Sequence, residues 1–514
     1  MNQHMTRLKA KPPILVLIFL CVTFSSAGTA HAVIPQLLGP LSALLSIVPQ
    51  ILAVVGIAFL TAFVFARDWL KGIFYRIRES ALLKTVTVIL LLAIIGAGVW
   101  VIYGSLQSGQ PFATTTGSVR HEKPLMKQSW AAFRGGVDRT GQLDNLPGPT
   151  NPTVSWLFKG EGGVVIDFSS SPAVVGSQVY ISAAQGSFFS SGGAVYCVDV
   201  DSGVNRWRYD TPIQIFSSPT VAGGRVYVGE GFHQDADCHL HCLDANNGRP
   251  IWRFKTASHV ESTPFISQGK VYFGAGGDGV YCLDALEGEE IWHYPSVHVD
   301  MSPAVWQGKV YFGTGYGEYR IYAVDANSGA EVWSKRVDYP AWGSPSADGD
   351  TVFFGLGNGN FIESAVVPQG RVSAHNAETG ERIWAYEAED SVLTAVAYRS
   401  GFVYFGSRDG GAYALNATDG ALGWKADIGH AVVSSPAVTE SSVYVGADNG
   451  VIYKIDRDSG RIVWQFDTEK ITGGEPIYSS PAIANGKLYI GLKHFLLCLG
   501  GEETMEETLE LDDQ

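Results

Sequence analysis

The sequence predicts an all-β, eight-bladed β-propeller whose N-terminal strand closes the last blade, preceded by a signal peptide and two transmembrane helices. Three observations lead there. Eight tryptophans, Trp156, Trp207, Trp252, Trp292, Trp333, Trp384, Trp424 and Trp464, recur at intervals of 40 to 51 residues, and one aromatic per unit at that period marks a propeller or solenoid. Seven of them end the same phrase: Asp or Asn, three residues, Gly, three residues, Trp, as in Asp244, Gly248 and Trp252. The last repeat, which starts at Ser479, stops short of its tryptophan, while a lone strand carrying Trp156 stands ahead of the first.

The chain opens as a secretory signal over residues 1–32. Arg7, Lys9 and Lys11 precede an apolar run, Ile14 to Phe24, and Ala30-His31-Ala32 forms a small-residue cleavage site. Residues 33–104 form a membrane domain with two apolar runs, about 43–66 and 85–104, each long enough to cross a bilayer as a helix of about 20 residues. Arg67, Lys71, Arg76, Arg78 and Lys84 between them place that loop in the cytoplasm. The expected localisation is therefore the inner (cytoplasmic) membrane, with the rest of the chain on the extracytoplasmic, periplasmic side. Residues 105–129 read as a polar tether.

Residues 130–499 hold the repeats. Each has four β-branched or aromatic runs separated by turn residues, as in Ser262 to Ile266, Lys270 to Gly274, Val280 to Asp284 and Glu290 to Tyr294. This is the pattern of a four-stranded meander. The Gly of each phrase supplies the positive φ of a tight turn between the third and fourth strands. An N-terminal strand in the eighth blade would pair both exposed edges of an otherwise open array. Residues 500–514 form an acidic, disordered tail whose seven carboxylates supply half of the net charge of −14.

The turn phrase ending in Trp resembles the docking motif of quinoprotein-type, PQQ-like eight-bladed propellers. Trp130 to Arg134, with Arg139 and Gly141, is similar to the lead-in of such domains. The resemblance implies the fold over residues 130–500 and leaves the activity open. The family includes pyrroloquinoline-quinone (PQQ) dehydrogenases and non-enzymatic members such as the lipoprotein of the outer-membrane β-barrel assembly machinery. Cys21 lacks the small residues that lipid attachment needs, and the adjacent cysteine pair of the quinoprotein alcohol dehydrogenases is absent.

Cys197, Cys242, Cys282 and Cys498 share one repeat position with Ala323, Ala374, Ala414 and Lys454, so they read as small packing residues too far apart to bridge. Cys238 and Cys242 would lie about 13 Å apart on one strand, and a disulfide between them would need a bulge.

Candidate chemistry gathers on one face. Insertions fall in the loops joining second and third strands, at 183–193, 230–237 and 356–370, and insertions on one face mark the face that binds. His259 and Glu261, then His298 and Asp300, hold equivalent positions ahead of the innermost strands of neighbouring repeats, with Pro340 and Trp342 next. Residues two apart on a strand share a face, so these side chains would meet at the channel mouth. His233, Asp235 and Asp237 enrich the 230–237 insertion. Mixed His and carboxylate donors suit Zn²⁺ or another divalent ion, and carboxylates alone suit Ca²⁺. Candidate metal ligands are thus His259, His298, His233, Asp235 and Asp237, and a polar, solvated rim is the competing reading.

No nucleophile elbow and no phosphate loop occurs. The acidic balance, with no basic run in the repeats, excludes nucleic acid as a partner. The expected function is a membrane-anchored binding or scaffolding module that engages protein, peptide or polysaccharide partners of the cell envelope through the inserted face. No catalytic residue is assigned, and the reading leans away from an enzyme. The alternatives are a dehydrogenase using PQQ and Ca²⁺, with Trp342 stacked on the quinone and Glu261 and Asp300 supplying ion ligand and base in either order, or a metal-binding structural propeller.

Overall fold

The computed structural model of the chain describes residues 130–133, 135, 148–161, 165–186, 191–233, 235–315 and 317–500. Eight antiparallel sheets follow one another along the sequence. Blade two is representative, with strands Thr220–Ala222, Arg225–Gly229, His239–Asp244 and Pro250–Lys255 from the innermost outward. Blade one gains a fifth strand, Val165–Asp167, paired to Gln178–Gly186.

Blade eight is a composite. Its three C-terminal strands, Ala482–Ala484, Lys487–Gly491 and Phe495–Leu499, take Val154–Lys159 as the fourth. The register sets Trp156 opposite Cys498 and Phe158 opposite Leu496. The ring is sealed by the strand that precedes the first repeat, which removes both unpaired edges.

Each repeat tryptophan except Trp464 does two jobs. Its ring packs on an aromatic of its own blade, as in Trp333 against Tyr311 at 6.0 Å. Its indole N–H reaches a carbonyl in the turn of the next blade: Trp207 to Ala245 at 2.9 Å, Trp333 to Ala377 at 3.0 Å, Trp424 to Arg457 at 2.8 Å. The turn glycine is demanded by this packing. Gly380 has φ +70°, and a Cβ there would lie 2.7 Å from the Trp333 ring. Across the sheet the tryptophans face Cys197, Cys242, Cys282, Cys498 or an alanine in seven blades, and a bulge follows. The cysteines are therefore small partners of a large ring. All five described cysteines are free and buried, so Cys238 and Cys242 form no disulfide.

The recurrent serines ahead of the prolines stitch blades together around the channel. Ser171 N–H donates to Ser218 Oγ at 2.8 Å, Ser302 N–H to Ser344 Oγ at 3.0 Å, and Ser435 N–H to Ser480 Oγ at 2.9 Å. Ser480 N–H returns to Ser171 Oγ at 2.9 Å and so crosses the closure. Trp130 is buried beside this ring: its carbonyl accepts from Val174 and that of Ala131 from Val221. The lead-in thus runs along the innermost strands of blades one and two.

The expected membrane architecture is corrected here. Among the described residues no helix is long and apolar enough to cross a membrane; a crossing needs about 20 residues, and the described helix Glu469–Thr472 has four. The expected signal, 1–32, and the spans at 43–66 and 85–104 lie outside the described residues. The two-helix anchor, and the membrane-embedded partnership and inner-membrane localisation drawn from it, are withdrawn.

Candidate functional site

Because neighbouring strands are antiparallel, the loop between a blade's second and third strands opens on the face where its innermost strand begins. The insertions of blades two and five and the residues ahead of the innermost strands therefore share one rim. On it, His259 and Asp300 meet from the approaches to blades three and four. His259 Nε2 lies 2.9 Å from Asp300 Oδ1, and His298 Nε2 lies 3.0 Å from the same carboxylate. Glu261 accepts the backbone N–H of His233 at 2.7 Å and approaches the His233 ring at 3.2 Å. The rings of His233 and His298 sit 5.8 and 5.6 Å from that of His259.

The local backbone makes room for this assembly. His259 is fully buried, with Ser258 Oγ 3.2 Å from its Nδ1. Gly276, at φ +47°, lies against the ring, and a Cβ there would come 2.6 Å from Nε2. Burial pushes the Asp300 carboxyl up, but hydrogen bonds from His259 and His298, with their charges, outweigh it and hold the group at about 2. The hydrogen bond to Glu261 raises His233 above its ordinary value, against the opposing effect of burial. The result is an interlocked set of three imidazoles and two carboxylates.

Other candidates stand apart from this set. Asp235 caps its own loop by accepting Phe232 N–H at 2.9 Å, and Asp237 pairs with Lys255 at 2.7 Å on the surface. Trp342 covers Gly315 and packs with Leu393, Ala431, Val433 and Tyr478. A further cluster joins Glu230, at the end of blade two's second strand, to His239 and His241 on its third. Glu230 N–H donates to the His239 carbonyl at 3.0 Å, so strand register sets the three together. The 230–237 insertion is ligand-rich in sequence, but only the strand pairing brings His239 and His241 to Glu230.

Ligand atoms of Glu230, His239 and His241 lie within 4.8 Å of one another, as do those of His233, His259 and Asp300. Both groups could coordinate a divalent metal.

The inserted loop of blade five, residues 358–369, carries different chemistry. Phe361, Ile362, Val366 and Val367 are all exposed, Ile362 at 82%. The loop is nonetheless held from beneath: Gly359 N–H donates to Ser391 Oγ at 2.7 Å, and the Arg408 guanidinium reaches the Phe361 and Ile362 carbonyls at 3.1 and 3.2 Å.

A family model described as outer membrane protein assembly factor BamB matches residues 153–364 and 368–502. The chain belongs to this family. It is an eight-bladed PQQ-like propeller related to BamB and to quinoprotein dehydrogenases. BamB from Moraxella catarrhalis is 20% identical, covering 68% of this chain and 100% of its own, with a TM-score of 0.50. The quinohemoprotein alcohol dehydrogenase from Comamonas testosteroni is 14% identical, covering 74% and 82%, with a TM-score of 0.57. The computationally designed Ika8 protein is 14% identical, covering 68% and 100%, with a TM-score of 0.55. At such identities the likeness shows the fold alone, and one fold hosts many functions. A search of curated proteins found no match. The family's description names the outer membrane, in contrast to the inner membrane expected from hydropathy.

Proposed function

We propose that this propeller is a protein-docking module of the cell envelope whose inserted rim seats a polypeptide partner by apolar contact. The carrying observation is the loop of blade five. Four exposed apolar side chains cluster on a short segment whose backbone is hydrogen-bonded to blade six. Exposed apolar patches on otherwise polar surfaces mark interaction sites, and a loop already ordered loses little entropy on docking. Ile362, Val366 and Val367 are aliphatic, with Glu363 the one charged residue of the loop. That chemistry suits apolar side chains of a protein better than the hydroxyls of a polysaccharide. Membership in a family described by outer-membrane protein assembly supports both the envelope and a polypeptide as partner.

The dehydrogenase reading fares worse on donor chemistry. Ca²⁺ takes six to eight oxygen ligands. Here Asp300 is engaged by two imidazoles and Glu261 by His233, and Trp342 packs in an apolar cluster. These residues do not fit a quinone held with Ca²⁺.

A photo-reactive benzoylphenylalanine in place of Ile362 or Val366 tests the docking reading in living cells. The expected result is a discrete adduct with one polypeptide, absent when the probe replaces Glu287 in a turn on the opposite face. Adducts confined to lipid or to the chain itself would overturn it.

A further inference from the structure

We propose that Glu230, His239 and His241 form a transition-metal site of the Zn²⁺ class, set between blades one and two and separate from the rim cluster of Asp300. The two clusters differ in what their atoms lack. At the rim, both His259 and His298 already hydrogen-bond Asp300. In the second cluster, Glu230 and His241 are each only 1% exposed. His241 Nε2 and Glu230 Oε2 lie 3.1 Å apart, within ion-pair range, but the approach is not aligned as a hydrogen bond and neither atom has another partner among the described residues. Two buried atoms, one nitrogen and one oxygen, are thus aimed into the same small space without satisfying each other. Leaving such groups unpaired is costly, and a shared cation resolves both at once.

The rest of the geometry agrees. A separation of 3.1 Å is close to the edge of a tetrahedron whose metal bonds are about 2.0–2.2 Å. His239 Nδ1 hydrogen-bonds the other carboxylate oxygen at 2.7 Å and would exchange that bond for the metal to become the third donor, its ligand atom lying within 4.8 Å of the other two. His239 is 27% exposed, so the fourth position opens toward solvent, where water can complete the set. His241 Nδ1 faces Tyr209 OH at 3.2 Å. An Nδ1–H donated to that oxygen leaves Nε2 as a bare lone pair, the arrangement by which outer partners fix the tautomer of a metal-binding histidine. Tyr209 belongs to blade one and the three donors to blade two, so an ion here would also brace that joint. Two imidazoles and a carboxylate with an open position match Zn²⁺ and its neighbours rather than Ca²⁺ or Mg²⁺.

The test uses the full chain, stripped by a chelator and titrated with Zn²⁺ alone, then with Co²⁺ as a spectroscopic stand-in. One Zn²⁺ should bind per chain through this cluster, raise the melting temperature and, as Co²⁺, give the visible absorption of a four- or five-coordinate ion. His239→Ala should abolish that signal; because it also removes the 2.7 Å partner of the buried Glu230 carboxylate, variant and parent are compared by the rise in melting temperature on adding Zn²⁺, which the variant should lose. Tyr209→Phe should weaken binding by about 10–100-fold. His259→Ala and His298→Ala should leave the signal intact. Failure to bind Zn²⁺ at high micromolar concentration overturns the proposal, as does binding that survives His239→Ala combined with Glu230→Gln.

Discussion

Lys454 Nζ donates a 2.9 Å hydrogen bond to the carbonyl of Pro149, joining residues 305 apart in sequence across the seam of the ring. Lys454 occupies the position that is cysteine or alanine in the other blades, directly opposite a docking tryptophan. The reason lies in the neighbouring blade. Blade eight draws its third and fourth strands from opposite ends of the chain, so no Asp-Gly turn follows its third strand. Trp464 of blade seven has no turn carbonyl to reach, and its indole nitrogen is buried without a hydrogen bond among the described residues. The longer side chain of Lys454 fills the gap and ties down the incoming segment, and Tyr444 OH reaches the same carbonyl at 3.5 Å.

Replacing Lys454 by Met keeps the aliphatic stem and removes the donor. We expect a loss of about 1.5–3 kcal/mol, the scale of a hydrogen bond to a charged group, read as a lower midpoint in urea unfolding. An unchanged midpoint would show that the seam does not depend on this contact.

The tryptophans should separate into two classes. Trp333→Phe loses the 3.0 Å bond to Ala377 and leaves that carbonyl only the 3.2 Å bond from Tyr311 OH, whereas Trp464→Phe loses no hydrogen bond. Both lose ring volume. The Trp333 variant should therefore be the less stable by about 1 kcal/mol, and equal losses would dissolve the distinction.

Much of this fold was legible because its signal is repeated. One tryptophan per blade, a glycine required at positive φ beneath it, and a strand missing at one end but present at the other specify both the blade number and the closure. Lys454 shares its repeat position with the cysteines and alanines of the other blades, and its meaning waits on the seam. The meeting of His259, His298 and Asp300 followed from strand spacing in adjacent repeats. The Glu230 cluster did not, because it depends on cross-strand register between a loop end and the next strand. Asp235 and Asp237 share that insertion, yet backbone direction sends one to its own turn and the other to Lys255. Trp342 aligned with Glu261 and Asp300 by repeat position. Its strand, Ala341–Asp348, is eight residues long where most innermost strands have three, and its ring packs with Leu393, Ala431 and Val433.

His375 provides a pH test away from either cluster. Burial is the main cause that lowers its pKa, opposed by the 3.0 Å contact with the Gly380 carbonyl. The unfolded chain, titrating at about 6.5, takes up its proton first as the pH falls. Stability is thus fully present above that value and declines as pH drops through the folded-state value. In His375→Gln, unfolding free energy should fall less steeply with acidification below about pH 6.5 than in the parent chain. Parallel curves would remove His375 as a contributor.

Burial pushes the thiols of Cys197, Cys238, Cys242, Cys282 and Cys498 up to about 12. The thiolate is the reactive form. All five should resist a thiol reagent in the folded protein and react together in denaturant, with reductant leaving the melting temperature unchanged. Selective labelling of one of them before unfolding would contradict this packing.

The docking rim is tested most directly by Ile362→Asp combined with Val366→Asp. Both side chains point into solvent, so the pair should leave the melting temperature unaltered. Burying each in a partner is worth about 1.5–3 kcal/mol, and the double variant should weaken capture of the crosslinked polypeptide at least tenfold in co-purification. Undiminished capture by a correctly folded double variant would contradict the assignment of this loop as the binding surface.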